Sequence, residues 1–112
     1  MASWADVVAA GAALPEVEES TWYRTPALKV RGKSFCRMKE DGELLVVRVI
    51  DLADKEALLR GEPDVFTTTP HYDGYAYVLV RLERIGRAQL GELLEDAWRC
   101  MAPKALTSPA DG

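Results

Sequence analysis

The stretch Leu28-Lys29-Val30-Arg31-Gly32-Lys33-Ser34-Phe35-Cys36-Arg37-Met38-Lys39 decides the fold. Leu28 and Val30 alternate with Lys29 and Arg31, and Cys36 and Met38 alternate with Arg37 and Lys39. A period of two is the pattern of a half-buried strand. Gly32-Lys33 between the runs is a turn signal. Glu40-Asp41-Gly42-Glu43 follows as a hairpin loop, because Asp-Gly supplies the positive φ that tight turns need. Leu44 to Ile50 then reads as a third strand that buries Leu45, Val47 and Val49 and is interrupted on its other face by Arg48. Short turns between consecutive strands mean antiparallel pairing.

Upstream, residues 3–14 read as a helix. Ser3 caps it with Asp6 at the capping-box distance, and Trp4, Val7, Val8, Gly11 and Leu14 fall on one stripe. Pro15 ends it, and Glu16, Glu18 and Glu19 form a short acidic connection. Downstream, Asp51 to Arg60 is a short helix capped by Asp51, with Gly61 at the left-handed C-terminal position. Val65 to Thr69 is a short strand, residues 70–74 are a loop, and Tyr75 to Leu82 is a strand with Val78, Val80 and Leu82 on one face. Arg87 to Met101 is the last helix, apolar along Leu90, Leu93, Leu94, Ala97, Trp98 and Met101 and stopped by Pro103. The order contains no strand–helix–strand alternation. The expected class is α+β: an antiparallel β-sheet with helices packed on one face. The 112 residues make one domain, residues 1–106, with a disordered polar tail over 107–112.

The chain is 48% apolar and 29% charged, and its 14 basic against 18 acidic residues leave a net charge of −4. That excludes a disordered chain and a generic, strongly basic nucleic-acid coat. No apolar run approaches the ~18 residues of a membrane span, and the N-terminus lacks the basic region of a secretory signal. Cys36 and Cys100 make no metal or redox spacing, which suits a reducing cytoplasm. Glu16, Glu18 and Glu19 lack the loop pattern of a cation site and read as a solvated charge run. No cofactor or metal is expected. His71, the one histidine, stands in a loop with no nucleophile placed by any pattern, and no phosphate loop or nucleophile elbow is present. The expectation is a protein that is not an enzyme, with His71 and Tyr72 as a candidate site loop.

The face opposite the core is the informative feature. If Leu28, Val30, Cys36, Met38 and Val80 point inward, the period of two turns Lys29, Arg31, Arg37, Lys39 and Arg81 outward, and Arg48 joins them. Tyr75 and Tyr77 share the face of Arg81. Six of the 14 basic residues would then stand on one face with two aromatics. Such a face can meet phosphate and stack on bases. It is equally what the solvated side of an antiparallel sheet looks like. Both readings stand at this point.

Several ordered pieces resemble a known family. They are Leu14-Pro15-Glu16-Val17-Glu18-Glu19, Gly32-Lys33-Ser34-Phe35, Thr69-Pro70-His71-Tyr72, the strand Tyr75 to Leu82, Leu93-Leu94-Glu95-Asp96-Ala97-Trp98 and Ala102-Pro103-Lys104. The chain is similar in these to the MmcQ/YjbR family of small bacterial proteins. The resemblance implies a CyaY-like α+β domain, also described as a double-wing DNA-binding type, and a DNA-binding label without an established biochemical role. That label is a fold-level analogy. The chain departs from the commoner pattern by carrying Tyr75 and Tyr77 where many members have tryptophan, and by a less basic end to its last helix. On this basis the expected partner is DNA, held weakly and salt-sensitively by Lys29, Arg31, Lys33, Arg37, Lys39, Arg48 and Arg81, with Tyr75 and Tyr77 stacking. The alternative is a module that binds a protein or a small anionic ligand on the same face.

Overall fold

The computed structural model describes residues 2–39 and 42–107. Helix α1 spans Trp4–Ala12, and the Ser3 N–H donates to the Asp6 carboxylate at 2.9 Å, which satisfies one orphan amide of its first turn. Four strands follow: β1 (Val17–Trp22), β2 (Thr25–Val30), β3 (Lys33–Met38) and β4 (Leu44–Arg48). Helix α2 (Leu52–Gly61) leads to the two-residue β5 (Phe66–Thr67), a 3₁₀ turn at Pro70–Tyr72 and β6 (Tyr77–Arg81). Helix α3 (Arg87–Met101) and the short α4 (Lys104–Thr107) close the chain. All pairings are antiparallel in the order β1-β2-β3-β4-β6-β5, so the class is the α+β one expected.

The core lies between one sheet face and the helices. Leu28, Val30, Cys36, Met38, Leu45, Val47, Val78 and Val80 meet Val7 of α1 and Leu90, Leu93, Leu94, Ala97 and Trp98 of α3. Each buried leucine of α3 contributes on the order of 1.5–3 kcal/mol relative to exposure. Leu58 and Leu59 of α2 pack partly buried against the same cluster. Gly11 lets α1 approach β2, since a Cβ there would stand 2.5 Å from Leu28 Cδ1.

Several local expectations are corrected. The acidic connection is a strand: Val17 to Trp22 pair with β2, and Glu18 stands across from Lys29. An edge strand tolerates such charges, which also deter pairing with other chains. Gly61 is the last helical residue and not a left-handed cap; the Glu62 N–H closes the helix onto Leu58 O at 3.0 Å. The strand expected from Tyr75 begins at Tyr77, because the Tyr77 N–H turns back to Tyr75 O at 2.8 Å. A short α4 follows Pro103, so Thr107 ends a helix; residues 108–112 of the expected tail lie outside the described residues, as do Glu40 and Asp41 of the hairpin loop.

Two corrections reach the candidate face. A β-bulge at Phe35 sets Leu28 across from Cys36 but Lys29 across from Ser34. The extra residue reverses the alternation, so Lys33 pairs with core-facing Val30 and does not share the face of Arg37. The outer face is also not simply solvated. Ala27, Arg37, Val46 and Leu79 form one cross-strand row on it, and all four are buried. The signal is in the sequence: Leu44-Leu45-Val46-Val47 and Val78-Leu79-Val80 are continuous apolar runs, the mark of strands covered on both faces.

Candidate functional site

What covers that outer row is aromatic. β1 and β2 are joined by a two-residue turn, with Trp22 paired to Thr25 and positive φ at both Tyr23 (53°) and Arg24 (65°). Such turns normally carry Asn-Gly, and each non-glycine residue in this region costs on the order of 1–3 kcal/mol. The turn sets the Trp22 and Tyr23 rings 5.0 Å apart at the sheet corner. From the other side, the Pro70–Tyr72 turn and the loop after it bring His71, Tyr72 and Tyr75, with Gly74 supplying a φ of 82°. The His71 ring stands edge-on to Tyr72 at 4.8 Å, and Tyr72 lies 6.2 Å from Tyr77.

Between these walls lies a cleft of about 350 Å³, floored by Arg37 and Val46. That is within the size range of small-ligand sites. Arg37 is only 5% exposed. Its Nη2 donates to the Tyr72 hydroxyl at 2.6 Å, and its Nη1 donates to Thr25 Oγ1 and to Met38 O, each at 3.2 Å. Its guanidinium carbon is 5.3 Å from the Tyr23 ring centre and 5.9 Å from that of Trp22. One side chain therefore ties both walls to the floor, by charge-assisted hydrogen bonds on one side and cation–π contacts on the other.

The second brace comes from α2. Lys55 is 5% exposed, and its ammonium donates to the carbonyls of Tyr72 at 2.6 Å and Tyr75 at 3.1 Å. Burial pulls its pKa below the ordinary lysine value, opposed by the nearby Asp73 carboxylate. Lys55 so fixes the turn and loop that carry three of the rings, His71, Tyr72 and Tyr75.

The residues expected to bind from the sequence divide into two sets. Arg37, His71, Tyr72, Tyr75 and Tyr77 come together at the cleft, with Tyr75 62% exposed at its rim. Arg37 is a buried brace and not a surface cation. The others do not gather into one patch. Arg31 forms a two-pronged ion pair with Glu16, at 2.5 and 2.9 Å, and mutual pairing raises its pKa and lowers that of the glutamate. Lys29 faces Glu18 across the ladder, and Lys33 stands exposed on the opposite side of the bulge. Lys39 and Arg81 flank Leu44 at one end of the sheet, and Arg81 donates to Pro63 O at 2.9 Å. Arg48 lies over the Tyr77 ring at 5.9 Å and donates to Val49 O at 2.8 Å, which puts it next to the cleft.

Trp22, Tyr23, Val46 and Lys55 were not singled out from the sequence. Adjacent Trp22-Tyr23 just before a proline-containing strand is a usable signal, since two large rings at a strand end are rarely both core. Lys55 carries no such signal. Among the described residues, no group of three or more His, Cys, Asp or Glu could hold a metal ion. Among them too, no helix is long and apolar enough to cross a membrane.

Fold and cleft together define a class: a small α+β domain with helices on one sheet face and an aromatic cleft braced by a buried arginine on the other. The model of the YjbR family matches residues 12–100, and the chain belongs to that family. Uncharacterized proteins of Mycobacterium bovis and Mycobacterium tuberculosis are 38% identical to it over 121 residues, covering 95% of this chain and 93% of theirs. A crystal structure of a Deinococcus radiodurans protein assigned to the domain family DUF419 has the same fold, with a TM-score of 0.71, 23% identity, and coverage of 88% of this chain and 77% of that one.

Proposed function

We propose that this protein binds single-stranded nucleic acid without catalysing a reaction, taking an unpaired base into the aromatic cleft. One observation carries the reading: aromatic rings from two distant chain segments converge on a cleft on the sheet face that α1 and α3 leave free. Successive bases stack on such rings without regard to duplex geometry. Arg48 beside Tyr77, and the more distant Lys39, Arg81 and Lys29, supply positive charge to a backbone that leaves the cleft. The dispersal of these cations, and the net charge of −4, favour a strand bound by stacking over a duplex bound by a continuous phosphate patch. The two free cysteines suit a cytoplasmic setting.

The test titrates labelled single strands and duplexes of mixed sequence from about 50 to about 200 mM salt. Single strands should bind more tightly than duplex, with a shallow salt dependence, and a Trp22→Ala/Tyr75→Ala variant should lose the difference. Failure of any strand to bind at the lower salt would end the nucleic-acid reading and direct the search to protein partners and small anions on the same face.

A further inference from the structure

Four non-glycine residues among those described hold a positive φ: Glu16 (56°), Tyr23 (53°), Arg24 (65°) and Arg31 (51°). A side chain strains the backbone there, and such strain persists where other contacts over-determine it. Three of the four have such contacts. Glu16 and Arg31 meet each other in their two-pronged ion pair. Tyr23 stands beside the Trp22 ring and 5.3 Å from the Arg37 guanidinium. Arg24 has none. It is exposed, and among the described residues it makes no hydrogen bond, ion pair or ring contact. Glycine would hold the same turn without strain. A cation is thus kept in a strained position next to the Trp22–Tyr23 wall, engaged by nothing in its own fold.

From this, and resting on the single-strand reading, we propose that Arg24 binds a backbone phosphate on one side of the inserted base and Arg48 binds a second on the other. A guanidinium suits the role, since its planar fork matches phosphate oxygens two at a time. Arg48 pairs with Tyr77 across the ladder and lies over its ring. Its Nε is engaged by Val49 O, and its two Nη groups make no hydrogen bond among the described residues. The register sets the two arginines apart. Ala27 of β2 and Val46 of β4 flank Arg37 in neighbouring strands. Arg24 stands three positions before Ala27, and Arg48 two positions after Val46. Because β2 and β4 run the same way, these steps go to opposite ends of the sheet. The separation is roughly 17 Å along the strands and roughly 10 Å across them. The diagonal between them passes over Arg37, so a strand that engages both arginines crosses the cleft. A free mononucleotide, with one phosphate group, engages one of them at most.

The test uses an oligothymidylate of about ten nucleotides, within the ordinary site sizes of single-strand binders, read by tryptophan fluorescence. Salt is varied from about 50 to about 200 mM, and each phosphate neutralised adds about 0.7 to the slope of log affinity against log salt. Two phosphates give about a sevenfold loss of affinity over that range, and one gives about a threefold loss. Arg24→Gln and Arg48→Gln should each flatten the slope by about 0.7, and together by about 1.4. Lys33→Gln, exposed on the other side of the bulge, should leave the slope unchanged. Arg24→Gly separates binding from folding, because it should flatten the slope equally while raising the melting temperature. An unchanged slope for Arg24→Gln or for Arg48→Gln, with binding intact, would overturn the proposal and leave the single-strand reading standing. Thymidine monophosphate bound as tightly as the oligothymidylate would also overturn it, since a single phosphate would then suffice. No binding by wild-type protein at the lower salt would overturn both the proposal and the reading on which it rests.

Discussion

The bond between Arg37 and Tyr72 is the joint of the candidate site, and its energy can be isolated. Tyr72→Phe removes only the hydroxyl that takes Arg37 Nη2 at 2.6 Å. A hydrogen bond to a charged group is worth about 1.5–3 kcal/mol, so this is the expected loss of stability. Arg37→Met also strips the donors from Thr25 Oγ1 and Met38 O and ends the contacts with Trp22 and Tyr23. Leaving a buried polar group without its partner costs about 1–3 kcal/mol, and Arg37→Met leaves more than one. A domain holds only about 5–15 kcal/mol in all, so this variant stands near the limit of folding. Arg37→Lys is the fallback: it keeps the charge and loses the planar fork. Urea unfolding of wild type, both single variants and the double variant closes a thermodynamic cycle. Once Arg37 is gone, Tyr72→Phe should cost almost nothing more, so the coupling should be about 1.5–3 kcal/mol. Losses that add to within about 0.5 kcal/mol would show that the bond contributes nothing, and the account of Arg37 as the brace between the walls would be wrong.

Two further outcomes follow from other parts of the molecule. Replacing the strained turn by Tyr23→Asn/Arg24→Gly should relieve about 1–3 kcal/mol per residue while losing about 0.5–1 kcal/mol of contact with Arg37. The melting temperature should therefore rise while single-strand affinity falls, and an unchanged or lowered melting temperature would contradict the strain argument. Burial pushes the Cys36 thiol up to about 12 from an ordinary value of 9.0. Between those values the unfolded chain gives up a proton that the native state keeps, so the native state loses stability as pH rises, by at most about 1.4 kcal/mol per pH unit. The urea midpoint of wild type should fall more steeply above pH 9.0 than that of Cys36→Ala; parallel slopes would show that Cys36 is not the group responsible.

The tension at the Tyr23-Arg24 turn also shows how site and stability are traded in this fold. A hairpin optimised for folding would place Asn-Gly there. The chain instead holds a large ring in a left-handed conformation, where it can reach Arg37. Strain at a candidate site is a common pattern, and here it sits on a wall of the cleft itself.

Periodicity by itself determined most of the elements. The 3.6-residue stripe of Leu90, Leu94, Ala97 and Trp98 marks α3 from Arg87 to Met101, and the alternation around Cys36 and Met38 marks the central hairpin, because each pattern is local and repeats several times. The α+β class follows from their order. β1 was not legible, since Glu18 and Glu19 have poor strand preference and are held extended by pairing with β2. The bulge at Phe35 was equally hidden, and a one-residue slip is enough to move Lys33 to the other face. The site divides the same way. The sequence placed Arg37, Tyr75 and Tyr77 off the core and marked the loop of His71 and Tyr72. The apolar runs through Val46 and Leu79 signal a covered row, but nothing in the sequence shows that Trp22 and Tyr23 meet Arg37, nor that Lys55 reaches the Tyr72 and Tyr75 carbonyls. Those contacts join residues 12 to 35 positions apart. They exist only once strand register and the β4–α2–β5–β6 path are fixed, and a local window carries no information on either.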